Sequence, residues 1–507
     1  MLRMSFNMLK IYKFSSKGFT RNGFATHVGD FMHTLKNRKS PISSSKIDDI
    51  LKKSEIKIDF SQYIEDETLN KHCPIKYVYV NQLAANNPLE DRWNVGFTQV
   101  DGRVSSFLFN ILDGHSGPAC SHALAWSLLD YVGASCLGHE KLKSIMKYWN
   151  DDEQPFHIAR RLELFGTNFK GHIATTPPDK VKKMLTKNLK LFIHDLLSQE
   201  QTSKDCISSN MKDAMMRLDS VICCLGNVDR DKTLDCGEFF SGFHPHESKE
   251  LIHLISSGAV GQVGRIFWGN DDREGKNNVD LHIANVGDCS AFLFNQENGR
   301  MISTSMNTIH QASVNPDEVT RIAREHPNDQ INQILRNGGR LLGELAPSRS
   351  FGDVRYKWPA NRILQLIRIM NENNCQSPWS DAQPLPSPYT SSPYLTAEPE
   401  VKQASLTQQS KYVVLATDGL WDVIDADDAS KLLNSISGDA SPATQLLRKV
   451  LTTIPPGLAK AIHKGKETDI EEISLQHAAA LLSLPTGIAR YYRDDITVMV
   501  IELDVKM

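Results

Sequence analysis

Residues 106–115 read S-F-L-F-N-I-L-D-G-H. A short, mostly apolar run closed by an Asp-Gly turn reads as a buried β-strand. Its first polar punctuation, Asp113, would stand where the rigid strand ends and be held in fixed geometry. Gly114 leaves room for a ligand to approach the backbone carbonyl. Three other runs read as strands, from Val279 to Ala284, Tyr412 to Ala416 and Ile496 to Leu503, and acidic residues gather at the ends of all of them. Gly287-Asp288 and Asp418-Gly419 follow two of the runs, Arg493-Asp494-Asp495 precedes the last, and Leu89-Glu90-Asp91-Arg92 lies before the first. One Asp-Gly after a strand is more often a turn than a ligand. Several carboxylates converging on one point make an oxygen-only site suited to Mg²⁺ or Mn²⁺. Two such ions roughly 3.5 to 4 Å apart can share a hydroxide that attacks phosphorus.

Helical periodicity fills the intervals, from Val181 to Gln199, Met211 to Leu225, Pro316 to Asn337 and Ala440 to Thr453. Residues 140–203, rich in Lys, His and polar side chains, read as an insertion, as do residues 371–393, where prolines at 378, 384, 386, 388 and 393 preclude regular structure. The segment Asn227 to Glu238 carries oxygen side chains at the spacing of a calcium loop, but Lys232 stands where that loop needs glycine. A solvated acidic loop is the preferred reading there, with Ca²⁺ the lesser alternative.

The first 29 residues hold no Asp or Glu, while Arg3, Lys10, Lys13, Lys17 and Arg21 recur among apolar residues. That is the composition of a mitochondrial transit peptide. Residues 1–51 are expected to be transit peptide and disordered leader, and 52–507 one catalytic domain. Nine scattered cysteines without a C-x-x-C fit a reducing compartment and argue against zinc fingers or a disulfide framework. Across 507 residues the formal charge is −3, which gives no pull toward nucleic acid or anionic membrane. Mean hydropathy is −0.35 and no apolar stretch reaches the roughly 18 residues of a membrane span.

In chain order, E-D-R (90–92), D-G-H (113–115), A-N-V-G-D (284–288), R-S-F-G-D (349–353), A-T-D-G-L-W-D-V (416–423) and R-D-D-I-T-V (493–498) resemble the metal-dependent protein phosphatases of type 2C. The resemblance runs from about Asn81 to Leu503. N-Q-L-A-A-N-N-P-L-E-D-R (81–92), F-G-D-V-R-Y-K-W (351–358) and P-Y-L-T-A-E-P-E-V (393–401) are similar to the mitochondrial pyruvate dehydrogenase phosphatase branch. The resemblance implies an α+β fold, two antiparallel β-sheets in a central sandwich flanked by α-helices on both faces. It implies two Mg²⁺ or Mn²⁺ ions at one end, with Asp113 bridging both, the Gly114 carbonyl on one, and Asp418 and Asp494 completing the other. Glu90 and Asp91 would bind directly or through water, with Asp353 a weaker candidate and Asp288 a turn cap. Choosing Asp494 over Asp495 rests on aligning R-D-D with the family's R-D-N.

The implied chemistry is hydrolysis of phosphoserine or phosphothreonine by a metal-activated hydroxide, with His115 protonating the departing alkoxide. The implied substrate is phosphorylated pyruvate dehydrogenase E1 α in the mitochondrial matrix. Docking to the lipoyl domain of E2 or to a regulatory subunit stays open. Two alternatives stand beside this: a phosphatase-like scaffold without turnover, and a phosphatase for another mitochondrial phosphoprotein. Three positions depart from the general family pattern. Asn86 stands where many relatives carry a phosphate-binding arginine, Val260 replaces a threonine, and Ile309-His310 replaces an Asp-His pair.

Overall fold

Side-chain alternation along the strands decides which residues become core. The computed structural model describes residues 43–60, 73–100, 103–149, 158, 160–161, 177–198, 207–226, 245–270, 277–372, 374, 385–436, 440–455 and 470–506. Within them, one sheet is built from β1 (Ile56–Asp59), β2 (Ile75–Leu83), β8 (Ser290–Glu297), β9 (Arg300–Ser305), β14 (Ser410–Ala416) and β15 (Ile496–Leu503), in the order β1-β2-β15-β14-β8-β9. The other contains β3 (Arg92–Val100), β4 (Arg103–His115), β5 (Arg160–Arg161), β6 (Gly258–Asn270), β7 (Asn277–Val286) and β13 (Glu400–Ser405), in the order β13-β7-β6-β4-β3-β5, with β12 (Phe351–Gly352) paired to β6. Every pairing in both sheets is antiparallel.

Period-two burial divides each strand between two cores. Phe107, Phe109 and Ile111 of β4, Trp93, Val95 and Phe97 of β3, Val413 and Leu415 of β14, and Met499 and Ile501 of β15 meet in one cluster between the sheets. Their alternate neighbours face outward. Leu108 and Leu112 pack under the helices Ala119–Ser135, Asp179–Ser198 and Ile207–Cys223. Val414, Ala416, Val498 and Val500 pack under the helices Pro442–Thr452 and Ile470–Leu482. The result is helix, sheet, sheet, helix, the expected α+β sandwich.

Three expectations need amendment. The expected leader, residues 1–51, ends in about two turns of helix, Ser44–Leu51, whose Ile47 and Leu51 are buried in the core beside Pro442–Thr452. Residues 1–42 lie outside the described residues. The helix expected from Pro316 to Asn337 ends at Glu325, because Pro327 cannot continue it. Asn337-Gly338-Gly339 instead turns a small hairpin between Leu335–Arg336 and Arg340–Leu341. The stretch 140–203 contributes the helix Asp179–Ser198, whose Val181, Leu185, Leu189, Phe192 and Ile193 belong to the main core. The calcium-like segment Asn227 to Glu238 lies outside the described residues.

Candidate active site

The chemistry-bearing residues continue the inter-sheet register one step beyond its apolar members. Asp91 precedes Trp93, Val95 and Phe97; Asp113 follows Phe107, Phe109 and Ile111; Thr417 follows Val413 and Leu415; Asp495 and Thr497 precede Met499 and Ile501. Pairing of Arg92 with Leu112 sets Asp91 beside Asp113, and pairing of Ala416 with Val498 sets Thr417 beside Thr497. The two sheets are tied at this end through one carboxylate. Asp91 Oδ2 accepts hydrogen bonds from Thr497 Oγ1 at 2.7 Å and Thr417 Oγ1 at 3.1 Å. Asp91 is fully buried, and its other oxygen, Oδ1, has no hydrogen-bond partner.

Like charges crowd here. Burial raises Asp91 well above the usual carboxylate range, the Asp495 and Asp494 carboxylates raise it further, and the two threonine hydroxyls only partly offset this. Asp113 is also raised well above that range, by burial first and then by Asp91, Asp418, Asp494 and Asp288. Desolvation of its carboxyl, with Asp418 beside it, pushes Asp494 up to about 7. Asp418 opens the short helix Asp418–Trp421, and Gly419 lies so close to the Asp495 carbonyl that a Cβ there would collide with it.

The two neighbouring acids of the R-D-D string have different partners. Asp495 is buried and accepts from Ala85 N at 2.6 Å, Asn86 N at 2.9 Å, Asn86 Nδ2 at 2.9 Å and Glu90 N at 2.9 Å. It therefore clamps the loop that carries Glu90 and Asp91. Asn86 is buried behind that clamp, with its amide nitrogen committed to Asp495. Among the described residues, the hydrogen bond that Asp494 Oδ1 accepts is a local one, from Asp495 N at 2.9 Å.

Glu90 Oε1 accepts from Gly117 N at 2.6 Å, and burial raises its pKa despite that bond. The Glu90 carbonyl accepts from Ser121 Oγ at 2.6 Å and passes so near Gly114 that a side chain at 114 would strike it. On the far side of Asp113, His115 Nε2 lies 2.7 Å from Asp353 Oδ2. Burial opposes charging of this imidazole, but the charge of Asp353 and its hydrogen bond, with Glu90 and Asp288 behind them, hold its pKa above the ordinary histidine value. Gly258, opposite His115 in the register, is needed here: a Cβ would overlap both partners of that pair.

Two of the three family departures, Val260 and the Ile309-His310 pair, fall together at Gly287. Its φ is +98°, and a side chain there would overlap Val260. His310 latches it by accepting from Gly287 N at 3.1 Å and donating its own backbone N–H to the Gly287 carbonyl at 2.9 Å. Asp288, one residue on, is buried and bonded to Gln311.

Sequence reading passed over Thr417 and Thr497, the donors that tie Asp91, at the start of β3, to the opposite sheet. Their signal is a hydroxyl in the inward register of an otherwise apolar strand, legible only once the faces are assigned.

Among the described residues, no three His, Cys, Asp or Glu side chains converge as a preformed metal cage. Two observations nevertheless fit a hard cation: the orphaned, buried Asp91 oxygen, and an all-oxygen set of carboxylates raising one another's pKa. A divalent ion would relieve both.

The protein phosphatase 2C family profile matches residues 246–453. The chain is 30% identical over 446 residues to human mitochondrial pyruvate dehydrogenase (acetyl-transferring) phosphatase 2, covering 83% of this chain and 76% of that protein. It is 28% identical over 464 residues to the bovine phosphatase 1 of the same name, covering 84% and 77%. The Saccharomyces cerevisiae phosphatase 1 aligns at 24% identity over 520 residues, covering 92% and 75%.

Proposed function

The chain belongs to the protein phosphatase 2C family, and from that premise we propose that it is a divalent-metal-dependent serine/threonine phosphatase of the mitochondrial matrix whose substrate is the phosphorylated E1 α subunit of pyruvate dehydrogenase. The observation that carries the metal-dependent reading is Asp91, a buried carboxylate with one orphaned oxygen amid Asp113, Asp494 and Asp495. The names of the mitochondrial relatives support the substrate and the compartment, and the acid-free basic leader supports the compartment independently.

Asp113, the Gly114 carbonyl, Asp418 and Asp494 would hold two Mg²⁺ or Mn²⁺ ions, with Asp91 and Glu90 binding directly or through water. When bound, such a pair supplies an activated water and neutralises phosphoryl charge. The chain's own residues do the rest. Asp495 fixes the loop that aims Glu90 and Asp91, and its saturation by four donors favours Asp494 as the ligand. His115, oriented by Asp353, delivers a proton to the serine or threonine oxygen as its bond to phosphorus breaks. Asn86 supports the loop from behind, so capture of substrate phosphate falls to the cations.

Substrate choice is tested by incubating the full chain and Mn²⁺ with phosphorylated E1 α and with a panel of other matrix phosphoproteins at equal concentration. A kcat/KM for E1 α at least about tenfold above the panel, worth about 1.4 kcal/mol of discrimination, supports the assignment. Equal rates across the panel overturn it and leave a phosphatase of another substrate.

A further inference from the structure

Helix Ile207–Cys223 contributes no residue to the carboxylate cluster, yet its Asp219 reaches the turn that presents Asp353. Asp219 and Lys357 form a buried pair, with side chains 10% and 9% exposed and Lys357 Nζ at 2.8 Å from both carboxylate oxygens. A buried ion pair is a poor source of stability, because desolvation offsets its attraction. What it grips is therefore the informative part. Lys357 Nζ donates to the Ser350 carbonyl at 2.8 Å, and Asp219 Oδ1 accepts from Gly352 N at 2.9 Å. Between those anchors the backbone takes two left-handed residues in succession, Gly352 at φ +66° and Asp353 at φ +51°. Aspartate visits that region more readily than most residues but still at a cost, which the bonds around the turn offset. The turn is also held by Phe351 and Val354, buried in the main core, and by Asp353 N donating to the Ser257 carbonyl at 3.1 Å, while the ion pair supplies its grip on the side that borders a cavity of 880 Å³. At the end of the turn, Asp353 Oδ2 accepts from Ser350 Oγ at 2.6 Å and meets His115 Nε2 at 2.7 Å.

We propose that Asp219 and Lys357 are positioning residues for proton delivery, holding the left-handed turn so that Asp353 fixes the His115 imidazole. The inference rests on His115 as the proton donor, and the experiment separates failure of that reading from failure of this one. A departing serine alkoxide needs the proton; a p-nitrophenolate, already stable as an anion, needs it far less. The readout is the ratio of kcat/KM for a phosphoserine peptide to that for p-nitrophenyl phosphate, measured on the full chain with Mn²⁺.

His115→Gln is expected to lower the peptide rate by about 10²- to 10⁴-fold and the aryl rate by much less. Asp219→Asn and Lys357→Met are expected to lower the ratio by about tenfold or more, as misplacement of a catalytic group does, while Lys357→Arg restores most of it. Asp219→Asn keeps an acceptor in place for Gly352 N, so it supplies the answer if Lys357→Met does not fold. Equal losses on both substrates, or no loss, in the Asp219 and Lys357 variants would overturn the proposal and make the pair purely structural. An unchanged ratio in His115→Gln would instead remove the proton-donor reading, and this inference with it.

Discussion

At the scale of single residues, Asp91 concentrates the conflict that the site must resolve. It is buried, shares one oxygen between Thr497 and Thr417, leaves the other unpaired, and is pressed by neighbouring carboxylates. Asp91→Asn removes that repulsion together with an oxygen proposed to face the cations. It is expected to weaken Mn²⁺ affinity by about 10- to 100-fold, the usual scale for disturbing a metal site's support, without lowering the melting temperature of the metal-free protein. Isothermal titration and thermal melting with and without Mn²⁺ check both halves. A destabilised apoprotein with unchanged affinity would show Asp91 to be structural only. Much of this residue-level picture was legible in the sequence, because Asp113, Asp418 and Glu90-Asp91 each punctuate an apolar strand. The division of labour between Asp494 and Asp495 was not. Nothing in two adjacent identical side chains tells that four donors from residues 85–90 will close on the second, since that depends on a loop brought from some 400 residues away.

At the scale of elements, the strand runs were readable because burial on both faces, one side to the inter-sheet core and the other to helices, makes them near-continuous apolar stretches. Helix ends were less so. The expected helix from Pro316 stops at Glu325, and its buried face carries an ion network that composition does not announce. Glu318, 1% exposed, accepts from Arg321, Arg349 and Ser348. Burial alone would raise its pKa, but these donors outweigh it and hold the carboxyl far below the usual range. A depressed folded-state pKa contributes stability that is complete above the ordinary glutamate pKa and is lost as pH falls toward the folded value. Glu318→Gln, which strands two buried arginine contacts, is expected to cost about 3–5 kcal/mol at neutral pH and to flatten the decline in stability below about pH 4.5. Urea unfolding between pH 3 and 7 measures this, and parallel pH curves for the two proteins would contradict it. The helix Ser44–Leu51 went unrecognised as part of the fold because the polar run around it masks Ile47 and Leu51. Leu51, 1% exposed, also offers its carbonyl to Asn81 Nδ2 at 3.1 Å. Leu51→Ala is expected to cost about 2–5 kcal/mol, as core truncations do; a loss under 1 kcal/mol in the same urea assay would show the helix to be dispensable.

At the scale of the whole molecule, a sandwich of two sheets solves one problem: it brings strand ends from residues 91, 113, 417 and 497 to a single rim, where the inward register turns from apolar to oxygen-bearing. The outer helix layers then reach the chemistry directly, as Ser121 does at the Glu90 carbonyl, or through turns, as Asp219 reaches His115 through residues 350–353. The fold was recoverable from the order of the motifs, while such long-range grips were not, because neither Asp219 nor Lys357 belongs to a pattern with a period. On the proposed reading, the carboxylates of this rim make a divalent-metal phosphatase. The measurement that tests it most directly is phosphate release from a phosphoserine peptide by the full chain, with Mn²⁺ and with EDTA, beside Asp113→Asn at saturating Mn²⁺. The expected result is turnover with Mn²⁺, none with EDTA, and a loss of about a hundredfold or more in Asp113→Asn, comparable to removing one electrostatic contact to the reacting group. Turnover indifferent to EDTA, or unaffected by Asp113→Asn, would contradict it.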